Sequence, residues 1–107
     1  MNEKKNNSNS KNYEWEKKYF NNKKIEIINF LNFNQINILK KFEIFIEDRK
    51  YTEYEYNVIE MILYKYYETD INDNIIKNEK LNERGVTLKE YEEILKVFIK
   101  ISSYYNL

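Results

Sequence analysis

The chain has 107 residues, 18 basic and 18 acidic side chains, no cysteine and no histidine. That length gives room for one compact domain with one core. The two absences remove disulfides, thiolate chemistry, the usual zinc sites and the Ser-His and Cys-His nucleophile arrangements, so a non-catalytic protein without a cofactor or metal is expected.

Charge is balanced overall but not along the chain. Residues 1–50 carry eleven Lys or Arg against seven Asp or Glu, and residues 51–107 carry seven against eleven, so the two parts are +4 and −4. No apolar run approaches the roughly 20 residues that span a bilayer, and no apolar secretory segment opens the chain. A soluble cytoplasmic protein with no membrane attachment is the expectation. The chain has no proline and one glycine, so helices must be broken by Asn, Asp, Gly85 and polar clusters.

Residues 1–12, MNEKKNNSNSKN, are polar and lack apolar periodicity, which predicts a disordered basic arm. Residues 13–107 form the single helical domain. In YEWEKKYFN, residues 13–21, Trp15 and Tyr19 stand four apart and predict a short amphipathic helix, with Trp15 either docked on the domain or offered to a partner. Residues 24–32 place Ile25, Ile28 and Leu31 on one side. Asn32-Phe-Asn34 then predicts a turn, with Asn34 capping a helix from Gln35 to Arg49 in which Ile38, Leu39, Phe42, Phe45 and Ile46 form the apolar rows. A rival pattern runs through the same region. Phe42, Ile44 and Ile46 alternate, as do Tyr54, Tyr56 and Val58, which would make 42–58 a hairpin and the fold an α+β winged helix; the turn Asp48-Arg49-Lys50 lacks the Gly or Asn a tight hairpin prefers.

The most apolar stretch, Val58 to Tyr67, lies in a helix predicted over residues 52–68. Thr52 and Glu55 form a capping box at its start. Its polar residues Glu53, Asn57, Glu60 and Glu68 fall on one narrow stripe, and the rest is Val, Ile, Met, Leu and Tyr. Such a helix should be enclosed by others. The predicted fold class is therefore all-α, a small bundle of about four to six helices around the central helix 52–68. Asp70, Asn72 and Asn74 have the alternate spacing of a calcium loop, but Ile75 and Leu81 replace its Gly and Glu, so a solvated turn is expected. A short helix over 75–83 follows, ended by Gly85. A last helix over 87–104 opens with a second capping box, Thr87 and Glu90. Leu88, Tyr91, Leu95 and Phe98 make its core face; Lys89 with Glu93 and Glu92 with Lys96 are i,i+4 pairs on the other.

Leu81 to Phe98, LNERGVTLKEYEEILKVF, resembles the helix-turn-helix of DNA-binding proteins. A short helix ends at Gly85, Val-Thr follows, and Val86, Tyr91 and Ile94 recur at the spacing that holds a second helix on the first. It departs from the family at Leu81, where a small residue is usual. The resemblance implies a second helix lying in a major groove, with Thr87, Lys89 and Lys96 toward DNA and Glu92 and Glu93 among them. Lys17, Lys18, Lys23 and Lys24, interleaved with Tyr13, Trp15, Tyr19 and Phe20, would let the arm track phosphates. The expected function is a DNA-binding accessory or regulatory protein on double-stranded DNA, as a homodimer. The alternative is a protein-binding inhibitor, immunity or anti-defence module acting through the acidic, tyrosine-rich second half, with Trp15, Tyr51, Tyr54 and Tyr56 as contact residues. Tyr51, Tyr54, Tyr56, Tyr64, Tyr66 and Tyr67 cannot all enter one small core, so some must face solvent or a partner.

Overall fold

A computed structural model describes residues 23–107. The arm and the helix expected over 13–21 lie outside the described residues. Each helix starts on a side chain that accepts a free backbone N–H. Helix α1, Phe33–Lys41, begins at Asn32, not at the expected Asn34. The reason is Gln35, three residues on. The Gln35 N–H donates to Asn32 Oδ1 at 2.8 Å, and the Asn32 N–H donates to Gln35 Oε1 at 2.9 Å, a reciprocal box. Thr52 with Glu55 opens α2, Glu53–Tyr64, and Thr87 with Glu90 opens α4, Leu88–Tyr105, in the same way. Asn78 caps α3, Glu79–Arg84.

Helix α1 ends at Lys41, well before the expected Arg49. Glu43 takes a left-handed φ of 63°, which lets the Ile44 N–H reach the Leu39 carbonyl at 3.1 Å. A non-glycine residue there costs about 1–2 kcal/mol. The turn is supported from outside, because Glu43 Oε2 accepts from Arg84 Nη1 at 3.0 Å. At this turn Phe42 and Ile44 are buried while Glu43 and Phe45 are exposed, so the alternation seen in the sequence follows burial across a turn and not a strand. No hairpin follows, because Tyr54, Tyr56 and Val58 belong to α2. The only β contacts among the described residues are two isolated antiparallel bridges, Ile25 with Tyr51 and Thr69 with Ile75. The segment 24–32 contributes a single 3-10 turn, Ile27–Phe30.

The fold is all-α, and α4 organises it. Six of its residues, Tyr91, Ile94, Leu95, Val97, Phe98 and Ile101, are buried, against Tyr56, Leu63 and Glu53 in α2. Tyr56 stacks on Phe98 with ring centroids 5.6 Å apart, and Phe42 meets the edge of Tyr66 at 5.0 Å. Two buried hydroxyls tie α2 to α4: Tyr56 donates to the Phe98 carbonyl at 2.8 Å, and Tyr91 donates to the Leu63 carbonyl at 2.6 Å. Helix α2, expected at the centre and enclosed, stops at Tyr64 and leaves Tyr54, Val58 and Met61 exposed. The described residues supply no element to cover that side. No helix among them is long and apolar enough to cross a membrane.

Between α3 and α4 the chain turns on Gly85, at φ 71°. The Gly85 N–H donates to the Asn82 carbonyl and the Val86 N–H to the Leu81 carbonyl, both at 3.0 Å, while Leu81 and Val86 are buried together; this is the double-bonded glycine stop of a helix. A Cβ at position 85 would meet no atom within 4 Å. Gly85→Ala is therefore expected to cost only the backbone strain, about 1 kcal/mol, lowering the thermal midpoint by roughly 4–8 °C. Gly85→Asn should lose less. Equal midpoints for Gly and Ala would show that the left-handed turn is not retained.

Candidate functional site

The residues expected to face DNA begin on α4. Lys89 and Lys96 are exposed on one side, seven residues apart, or about 10 Å along the axis. Thr87 is exposed, and its Oγ1 accepts the Glu90 N–H at 3.1 Å as the helix cap. The expected pairs Lys89–Glu93 and Glu92–Lys96 are not among the ion pairs of the described residues. Glu93 instead accepts from Gln35 Nε2 of α1 at 3.1 Å. Glu90 accepts the Thr87 N–H and lies 3.3 Å from Lys41 Nζ, and these contacts hold its carboxyl below the usual range, the backbone bond first. Thus α1 flanks one edge of the proposed reading helix and occupies one of its two carboxylates.

The basic residues before α1 divide. Lys24 is exposed, but Lys23 Nζ donates to the Tyr105 and Asn106 carbonyls at 2.9 and 2.8 Å. Lys23 therefore caps the C-terminal end of α4, where a cation is favoured, and is not a free phosphate contact. Lys17, Lys18 and Trp15 lie outside the described residues.

Two of the tyrosines expected at a partner surface are core residues. Tyr51 is buried; its hydroxyl accepts the Glu47 N–H at 2.8 Å, and the Arg49 guanidinium covers its ring at 3.8 Å. Tyr56 is fully buried against Phe98. In both cases a polar partner satisfies the hydroxyl, which allows the ring to be buried. Tyr54 is exposed, as are Tyr64 and Tyr67, while Tyr66 is buried.

A concave site the sequence did not suggest lies between the end of α2, the loop after it and the exposed side of α4. It is a groove of about 380 Å³ lined by Tyr64, Tyr67, Ile75, Leu95 and Ile99, with Glu92 and Lys96 at its rim. Tyr64 and Tyr67 form one wall, their rings 5.7 Å apart. Burial, then Glu60 and Tyr67, raise the Tyr64 hydroxyl pKa, so it stays a protonated donor. The loop is held by two devices. Asp70 Oδ1 accepts the Asn72 and Asn74 N–H groups at 2.8 and 3.0 Å, which lowers its pKa, and Thr69 bridges Ile75. The loop resembling a calcium site is thus a turn whose carboxylate serves the backbone. No acidic cluster among the described residues could hold a metal.

One signal for the groove was in the sequence. Ile99 lies off the Leu88, Tyr91, Leu95 and Phe98 row, among Lys96 and Lys100, and it is 60% exposed. The loop residues Tyr67 and Ile75 join it only in three dimensions. No family model, curated protein or solved structure matches this chain.

Proposed function

We propose that the chain is a non-catalytic protein-binding module whose groove between α2 and α4 takes a bulky apolar side chain of a partner peptide. The observation that carries this reading is the cluster of exposed apolar residues, Tyr64, Tyr67 and Ile99, around a concave floor of Ile75 and Leu95. Apolar concavities with a few polar groups at the rim are the usual form of a recognition site. Lys96 at the rim, with Lys100 one turn further along α4, favours an acidic residue beside the apolar anchor. Tyrosine hydroxyls on the wall supply donors and acceptors at little entropic cost.

A second reading keeps DNA as the partner. It is favoured by the α3–Gly85–α4 turn and by the outward Lys89 and Lys96, and opposed by the acidic residues around them. One pair of measurements separates the two. Selection of displayed random peptides on the full chain is expected to yield an apolar anchor flanked by Asp or Glu, with affinity lowered about tenfold or more by Ile99→Glu. Anisotropy with random-sequence duplex at low salt is expected to show no binding. Salt-sensitive duplex binding lost in Lys89→Ala/Lys96→Ala, with no peptide selected, would replace the first reading by the second.

A further inference from the structure

The groove has a polar end. Tyr64 lines it from α2 and Ile99 from α4, and the ties from Tyr56 to Phe98 and from Tyr91 to Leu63 show that the two helices run antiparallel. Four residues back from Tyr64 and three residues on from Ile99 therefore lead to the same place, where Ser102 Oγ lies 3.3 Å from Glu60 Oε2. The helical rise puts Glu60 about 6 Å along the axis from Tyr64. Met61, one turn before Tyr64 on the same side of α2, is 66% exposed and continues the apolar wall toward this end.

Hydroxyl protons at this end are fewer than the oxygens that could accept them. Tyr56 has one, and its contact with the Phe98 carbonyl is 2.8 Å against 3.1 Å to Glu60 Oε2. Ser102 has one, and its contact with the Tyr56 oxygen is 2.8 Å against 3.3 Å to Glu60. Because Tyr56 donates to the carbonyl, Ser102 is the donor of that pair. Each proton thus has a shorter path that leads away from the carboxylate. Glu60 Oε1 accepts from no group among the described residues, and none of their ion pairs includes Glu60. This half-buried carboxylate, able to accept about four hydrogen bonds, is under-supplied with donors. Withdrawing a charge from water without a partner is unfavourable. Its field reaches the groove wall: after burial, Glu60 is the next cause that raises the Tyr64 hydroxyl pKa.

We propose that Glu60, with Ser102 beside it, determines the specificity of the groove by receiving a basic side chain, Lys or Arg, of the partner peptide. This rests on the groove being a peptide site. A cation there supplies the missing donors through charge-assisted hydrogen bonds, whereas a second apolar residue would leave the carboxylate dry and unpaired. The separation of about 6 Å between the apolar anchor and the cation corresponds to four residues of a helical peptide or two of an extended one. Lys96, on the rim of the apolar part, stands six residues before Ser102, or about 9 Å along α4. Opposite charges at that separation give the peptide one preferred direction in the groove.

Peptides selected by display on the full chain supply the test. The expected set carries Lys or Arg at one fixed spacing, four or two residues, from its apolar anchor. One selected peptide is then made with Lys, Gln or Glu at that position. On the unmodified chain the Gln form is expected to bind about tenfold more weakly than the Lys form, and the Glu form more weakly still. On Glu60→Gln, with far-UV circular dichroism retained, the Lys and Gln forms should bind alike. Equal binding of the three peptides to the unmodified chain overturns the proposal. So does a preference for Lys over Gln that survives Glu60→Gln. In both cases binding that is still lost in Ile99→Glu keeps the groove as the peptide site. Failure to select any peptide removes that reading and this proposal with it.

Discussion

Phe98→Ala is expected to destabilise the fold by about 3–5 kcal/mol, because it opens a large cavity that the surrounding helices can only partly fill. A chain of this size has a total stability on the order of 5–15 kcal/mol, so the variant should be near its unfolding midpoint in mild denaturant. Phe98 is fully buried, stacks on Tyr56, and sits at the backbone carbonyl that accepts the Tyr56 hydroxyl. Removing its ring therefore loosens a polar tie as well as an apolar contact. Phe45→Ala is the control: Phe45 is 65% exposed and should change stability by no more than about 0.5 kcal/mol. Urea unfolding of the two variants gives the comparison. A loss below about 1 kcal/mol at Phe98 would mean that α4 is not the organiser of the core.

The helix starts and the fold class are readable in the sequence because they rest on local chemistry. Thr52 with Glu55 and Thr87 with Glu90 satisfy backbone groups within three residues, and no distant contact is needed to make them work. Asn32 with Gln35 obeys the same rule, and it outcompetes Asn34 as the cap because the glutamine returns the bond. The helix ends are less accessible. Glu43 adopts a positive φ with no glycine to announce it, and its support comes from Arg84, 41 residues away. Helix α2 departs from its expected enclosure for a related reason. Composition shows that most of its surface is apolar, but not how many elements remain to cover it, and α1 and α3 are short and engaged elsewhere.

The candidate site is less legible than the fold. Tyrosine is equally at home in a core and on a surface, and which happens depends on whether its hydroxyl finds a partner. Tyr56 and Tyr91 find the Phe98 and Leu63 carbonyls, whereas Tyr64 and Tyr67 reach the groove. Those acceptors are 42 and 28 residues away in sequence, beyond any local pattern. Lys23 shows the same limit: charge alone makes it a phosphate contact, while its reach across the fold makes it a helix cap.

Alkaline unfolding follows from the two buried hydroxyls. Burial is the main cause that pushes the Tyr56 and Tyr91 pKa values up; Glu60 adds to it for Tyr56, against a bond from Ser102 that lowers it, and Tyr64, Tyr67 and Tyr66 add to it for Tyr91. An unfolded tyrosine ionises near pH 10. Above that pH the unfolded chain gives up protons that the folded chain still holds, so stability is full below about pH 10 and falls as pH rises toward the folded values. With no histidine or cysteine in the chain, few side chains titrate between the carboxylates and the tyrosines, and stability should be nearly flat from about pH 5 to pH 10. At the acid end the sign reverses. Glu55 and Glu90 are held below their ordinary values, chiefly by the backbone N–H groups of Thr52 and Thr87, so their contribution is present above the unfolded carboxylate pKa and lost as pH falls through the folded one. The expected tyrosinate absorbance titration therefore ends in a phase above the ordinary tyrosine range that coincides with the loss of helical circular dichroism. Tyr56→Phe/Tyr91→Phe should cost about 1 kcal/mol per hydrogen bond at neutral pH and move the loss of helix to higher pH. A single-phase titration complete before any helix is lost would mean that these hydroxyls are open to solvent and do not couple α2 to α4.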